Sequence, residues 1–146
     1  MIPVDQENFG DGKGDCFAAC LASIFELELR QVPNFCVEFP KSWLYQSNKW
    51  LATHTGLCLL EVGADRAAKK CEGITTLLEF PCYHLICGKS PRGDFLHQVV
   101  GFRGEVVHDP HPSRLGVLDE FSWGFFIQMT PDKQSISVPI EERDDE

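Results

Sequence analysis

The stretch GDCFAACLASIFEL, residues 14 to 27, reads as a helix with a thiol, Cys16, in its first turn. A thiol there feels the positive end of the helix dipole and backbone N–H groups that have no partner within the helix. Both favour the thiolate, which is the attacking form of cysteine. Gly12 and Gly14 let the chain turn tightly before it and leave the sulfur accessible. The alternative is an inert, buried cysteine that falls in the first turn by chance. A nucleophilic cysteine needs a base, and the base needs an orienting group. His97 opens the apolar run HQVVGF, and Asp109 closes the run GEVVHD, with Arg103-Gly104 as the turn between them.

Register decides whether His97 and Asp109 meet. A two-residue turn pairs Phe102 with Glu105 and hence Gln98 with Asp109, so that Asp109 faces away from His97. One extra residue, in the loop or as a bulge, pairs Val99 with Asp109 and brings the carboxylate to the face of His97. A triad therefore requires that extra residue. Pro110 cannot donate to a ladder, so pairing is expected to end at Asp109.

His108 and His111 flank Asp109 in HDPHP and, with His97, could form a metal cluster, but a Pro-broken segment suits zinc geometry poorly. Polar support of Asp109 is the preferred reading, with no metal. Arg92, in the turn SPRG, is a candidate to face the cleft and bind an acidic or carboxylate group. His84 alternates within CYHLIC as a core or rim residue, and His54 suits a helix C-terminus. Trp43, Trp50 and Trp123 read as core rather than as a substrate platform. The seven cysteines include no Cys-x-x-Cys pair, and their number is odd, so neither a zinc knuckle nor a disulfide framework is expected. Apart from Cys16 they read as small buried hydrophobes.

The elements that must position these residues follow from periodicity. The chain has 146 residues, 43% apolar and 24% charged, which fits one domain with a sizeable core. A net charge of −9 argues against a nucleic-acid phosphate binder, and leaves a basic or neutral peptide open as a partner. No apolar run is long enough to span a bilayer, and the N-terminal residues lack a signal-peptide pattern, so a cytoplasmic location is expected. A short extended piece and a Gly- and Asp-rich loop lead to a helix over 15–28, with Asp15 as its N-cap. A second helix is expected over 41–55, stopped by Gly56. Then LCLLEV, CYHLIC, LHQVVGF, EVVHD and SWGFFIQM read as strands, with a short helix between residues 63 and 80 and an acidic tail from about residue 137. Helices first and an antiparallel sheet after them predict an α+β fold.

Taken together, GDCFAACLASIFEL, YHLICG, SPRG, LHQVVGF and VVHDPHPS resemble the papain-like cysteine peptidases. The likeness is to the compact bacteriocin-processing branch and its phage and bacterial relatives, and covers roughly residues 4 to 130. It implies a papain-like fold and a peptide or protein substrate, with no cofactor. In that branch Cys16, His97 and Asp109 match the catalytic triad. It also implies a glutamine upstream of the cysteine as an oxyanion-hole donor. Gln6 is the one glutamine before Cys16, ten residues away, a wider gap than the family's, with Asn8 as the substitute. The expected activity is cleavage of a peptide, isopeptide or related amide through an acyl-enzyme, with acyl transfer also open. The competing expectation is a silent papain-like binding module, such as a phage protein that targets a host factor.

Overall fold

In the computed structural model, residues 1–63 and 78–129 are described, and they form an α+β fold with helices first and a five-stranded antiparallel sheet after them. The short helix expected between residues 63 and 80 falls largely outside the described residues, as do Cys71 and the acidic tail. Helix α1 spans Cys16–Phe25, three residues shorter at its C-terminal end than the pattern predicts. Glu26 takes the left-handed conformation there (φ 57°), and the N–H of Leu27 closes on the carbonyl of Ala22. The Glu26 carboxylate is held by the chain's N-terminal ammonium at 2.8 Å.

The Pro-containing break after α1 is filled by a 3-10 turn, Leu29–Gln31, and a short helix α2, Phe35–Glu38, which periodicity did not predict. Helix α3, Trp43–Thr55, starts two residues later than expected and ends at Gly56, whose positive φ of 73° meets the need for a left-handed stop.

The strands are β1 Leu57–Gly63, β2 Tyr83–Lys89, β3 Leu96–Phe102, β4 Glu105–His108 and β5 Glu120–Gln128, in spatial order β1-β5-β2-β3-β4. The chain thus crosses from β4 back to the sheet interior with β5. Alternation along the strands gives the sheet two faces. Leu59, Leu85 and Val100 on one face pack beneath Phe17, Cys20, Leu21 and Leu51 of the helices. Ile86, Val99, Trp123 and Phe125 form a second cluster on the other face. Trp123 is core, as expected. His84 is also fully buried, with Gly101 opposite it on β3. A methyl group at Gly101 would collide with the His84 ring, so the pair fits only because position 101 has no side chain. The ring takes the Gly104 N–H on Nε2 at 3.1 Å, which ties the β3–β4 turn to β2.

That turn has the two-residue form. Phe102 pairs with Glu105, and Arg103 and Gly104 both have positive φ (52° and 80°). The register then shifts: Gly101 pairs with Val106, but Val100 pairs with His108. Val107 is the extra residue of a β-bulge. The bulge, and not a longer loop, supplies the extra residue that brings Asp109 to the face of His97.

Candidate active site

His97 stands at the start of β3, and the bulge in β4 turns Asp109 toward it. The His97 Nε2 lies 2.7 Å from Asp109 Oδ1, and both side chains are 3% exposed. Asp109 is further fixed by two backbone donors, His111 N–H on Oδ1 at 2.8 Å and Gly116 N–H on Oδ2 at 2.7 Å. Burial resists the charged form of Asp109. The bonds from His97, His111 and Gly116 outweigh it and hold the carboxyl below its ordinary value. With Asp109 ionised, His97 carries its proton on Nε2, and its Nδ1 is left as the basic nitrogen. Burial lowers the His97 pKa, opposed by the bond to Asp109, and Arg92 and His111 lower it further.

Cys16, Gln6, Arg92 and His97 all line one cavity of about 720 Å³. Cys16 is half-buried at the helix start. Its thiol is pushed up by burial, against the expectation that a helix start leaves it acidic. Backbone hydrogen bonds at Gln98 and Phe17 pull it down, and the neighbouring Asp15 adds to the rise. The local reason is clear: the sulfur is packed between α1 and β3, where desolvation exceeds what the helix N-terminus contributes.

Asp15 occupies the N-cap position, but its carboxylate makes no cap to the helix. It reaches back to the preceding loop instead, accepting the N–H of Glu7 at 3.1 Å, the N–H of Asn8 at 3.0 Å and the Asn8 side-chain amide at 2.9 Å. These bonds, with Gln6 N–H on the carbonyl of Pro110 at 3.0 Å, place Gln6 in the cavity wall. The Gln6 Nε2 donates to the carbonyl of Asn8 at 2.7 Å, and its Oε1 is buried without a partner. One hydrogen of Nε2 remains for another acceptor. Asn8 is exposed and its amide is spent on Asp15, so of the two candidates Gln6 is the one that faces the cavity.

Arg92 reaches the cavity but is partly engaged. Its Nη1 donates to Ser113 at 2.9 Å and lies 3.9 Å from Asp109 Oδ2, while Nη2 is buried without a partner. His108 donates from Nε2 to the carbonyl of Val4 (2.9 Å), and His111 sits edge-on to His97 with ring centroids 6.3 Å apart. His111 supports Asp109 through its backbone N–H, whereas the His108 ring turns to Val4 and Asp5 instead. Among the described residues no group of three or more His, Cys, Asp or Glu is arranged to hold a metal ion.

The remaining cysteines divide. Cys20 is buried, its thiol at 3.4 Å from the carbonyl of Gln98. Cys36 is exposed, and Cys58, Cys82 and Cys87 are half-buried, so the expectation of uniformly buried thiols fails. Cys36 and Cys87 both line the cavity, with burial raising their thiols to about 11 and about 12. Trp43 also lines the cavity, edge-on to Phe17, and so belongs to the wall as well as the core. Glu61 and Gln98 are cavity residues that the sequence reading passed over; each lies in an apolar strand pattern, where an odd polar residue on the helix-facing side is the available signal.

Among the described residues no helix is long and apolar enough to cross a membrane. Comparison with known protein families, with curated proteins and with solved structures returns no match for this chain.

Proposed function

We propose that the protein is a papain-like cysteine hydrolase acting on a peptide, isopeptide or related amide. The observation that carries this reading is the His97–Asp109 bond of 2.7 Å between two buried side chains, at the wall of a cavity that Cys16 also lines. The cost of burying this carboxylate is offset by the bonds from His97, His111 and Gly116, and its bond with His97 fixes the tautomer and leaves Nδ1 as the free basic nitrogen.

In this mechanism a raised thiol and a lowered imidazole give a neutral resting pair. The Cys16 sulfur attacks the carbonyl carbon as its proton passes to His97 Nδ1. The oxyanion is held by the Cys16 N–H and the spare hydrogen of Gln6 Nε2. The intermediate collapses, His97 gives the proton to the departing amine nitrogen, and a thioester remains. Water, deprotonated by His97, then attacks the thioester carbon, releasing the carboxylate and restoring the thiol. An amine in place of water gives acyl transfer.

A binding module without chemistry is the second reading. It is favoured by the elevated Cys16 thiol and by the commitment of Gln6 to Asn8. A panel of peptide and ubiquitin-like electrophilic probes decides between them. The hydrolase reading expects one or more probes to attach to Cys16 and none to the Cys16→Ala protein. A folded protein that no probe labels at Cys16 leaves the binding module as the account.

A further inference from the structure

The cavity extends from Cys16 across the sheet. Gln98 on β3 pairs with Cys87 on β2, Cys87 with Ser122 on β5, and Ser122 with Gly63 on β1. Glu61, two residues from Gly63, shares that face, and Glu61, Cys87, Gln98 and Ser122 all line the cavity. Among the described residues two of these groups lack partners. Among the described residues the Glu61 carboxylate enters no ion pair or hydrogen bond, and Lys13 and Arg92, the cations that also line the cavity, do not pair with it. The Gln98 Nε2 is buried with no acceptor. A half-buried carboxylate with no counter-charge among the described residues, and an unused amide donor three strands away on the same face of the sheet, are both unfavourable. A ligand that brings a cation and a carbonyl relieves both.

We infer that Glu61 selects a basic side chain, lysine or arginine, on a peptide whose backbone carbonyl is received by Gln98 Nε2. The inference rests on the reading of Cys16 as the reacting group only for the direction of the peptide, not for its charge. A cavity of about 720 Å³ holds such a side chain together with neighbouring backbone. The protein's net charge of −9 draws a basic peptide toward it. The apolar stem of lysine or arginine matches the Trp43 and Phe121 walls, while its charged head reaches Glu61.

Two measurements test it. The first compares acyloxymethyl ketone probes carrying lysine or its uncharged isostere norleucine, and reads the ratio of their Cys16 labelling rates within each protein. The ratio should be about fivefold to tenfold in the wild type, as one partly buried charge pair supplies. It should fall to about one in the isosteric Glu61→Gln. In Glu61→Lys a glutamate probe should become the faster one. The second titrates N-acetyl-lysine methylamide and N-acetyl-norleucine methylamide into the unreactive Cys16→Ala protein by NMR. Tighter binding of the lysine ligand, lost on adding Glu61→Gln, upholds the inference even if no probe ever labels Cys16, in which case only the hydrolase reading falls. Labelling of Cys16 with equal rates for lysine and norleucine, or a preference that survives Glu61→Gln, overturns the inference and leaves the hydrolase reading in place.

Discussion

Replacing Asp109 with asparagine keeps the shape of the side chain while removing its charge and one of its two acceptor oxygens. Oδ1 now serves His97 at 2.7 Å and the His111 N–H at 2.8 Å, and Oδ2 serves the Gly116 N–H at 2.7 Å. An asparagine oxygen can keep the first two partners. Its NH2 group then points at the Gly116 N–H, donor against donor, and the bond from the imidazole loses its charge assistance. An unsatisfied part-buried donor costs about 1–3 kcal/mol and the weakened charged bond about 1 kcal/mol more, so the variant should lose roughly 2–4 kcal/mol. In urea the midpoint should fall by about 1–2 M at unchanged slope. Asp109 is also what opposes the downward push of burial on His97, so NMR titration of the imidazole should give a still lower pKa in the variant. An asparagine variant with the wild-type midpoint and the wild-type His97 titration would refute the claim that this carboxylate organises the imidazole.

Three further outcomes are expected. Gly101→Ala should cost about 1–3 kcal/mol in thermal or urea unfolding, because the new methyl meets the buried His84 ring; a neutral effect would mean that the ring is not held against β3. Asp15→Ala should cost about 1–3 kcal/mol and speed amide hydrogen exchange at Glu7 and Asn8, the two N–H groups it now accepts; unchanged protection there would remove Asp15 as the anchor of the Gln6 segment. The third outcome concerns pH. His97 and His84 are both held below the ordinary histidine value of 6.5, so the unfolded chain binds more protons than the folded one as pH falls past that value. Their contribution to stability is complete above pH 6.5 and declines as pH drops through their lower folded values, and Asp109 adds a loss of the same sign below its ordinary 3.8. Urea midpoints that rise on going from pH 8 to pH 5 would contradict this sign.

Much of the positioning was legible in the sequence because it depends on local signals. Alternation located all five described strands to within two residues, and Gly56 marked the end of α3. The need for an extra residue between His97 and Asp109 was readable from register alone, but its place was not. A bulge at Val107 carries no residue signature, since the exposed Val106 and Val107 both suit an edge strand. Asp15 was misread for a physical reason: an aspartate before a helix ordinarily caps it, and only the return of the loop at Glu7 and Asn8 offers it better donors. The acidity of Cys16 was overestimated because helix position is visible in a sequence, whereas the desolvation imposed by β3, some eighty residues later, is not. Glu61 escaped notice because its lack of a partner among the described residues is a property of the assembled cavity.

The central claim is that His97 activates Cys16, and the pH dependence of Cys16 alkylation by iodoacetamide tests it most directly, read residue by residue by mass spectrometry. In the wild type the Cys16 rate should show a lower inflection that follows the His97 titration, and at neutral pH it should exceed the rates at Cys36 and Cys87, whose thiols are raised to about 11 and about 12. In His97→Ala that inflection should vanish and the neutral-pH rate should fall about tenfold or more, since only direct ionisation of a raised thiol remains. A Cys16 rate profile that is the same in the wild type and in His97→Ala would contradict the account and return the thiol to an inert place in the wall.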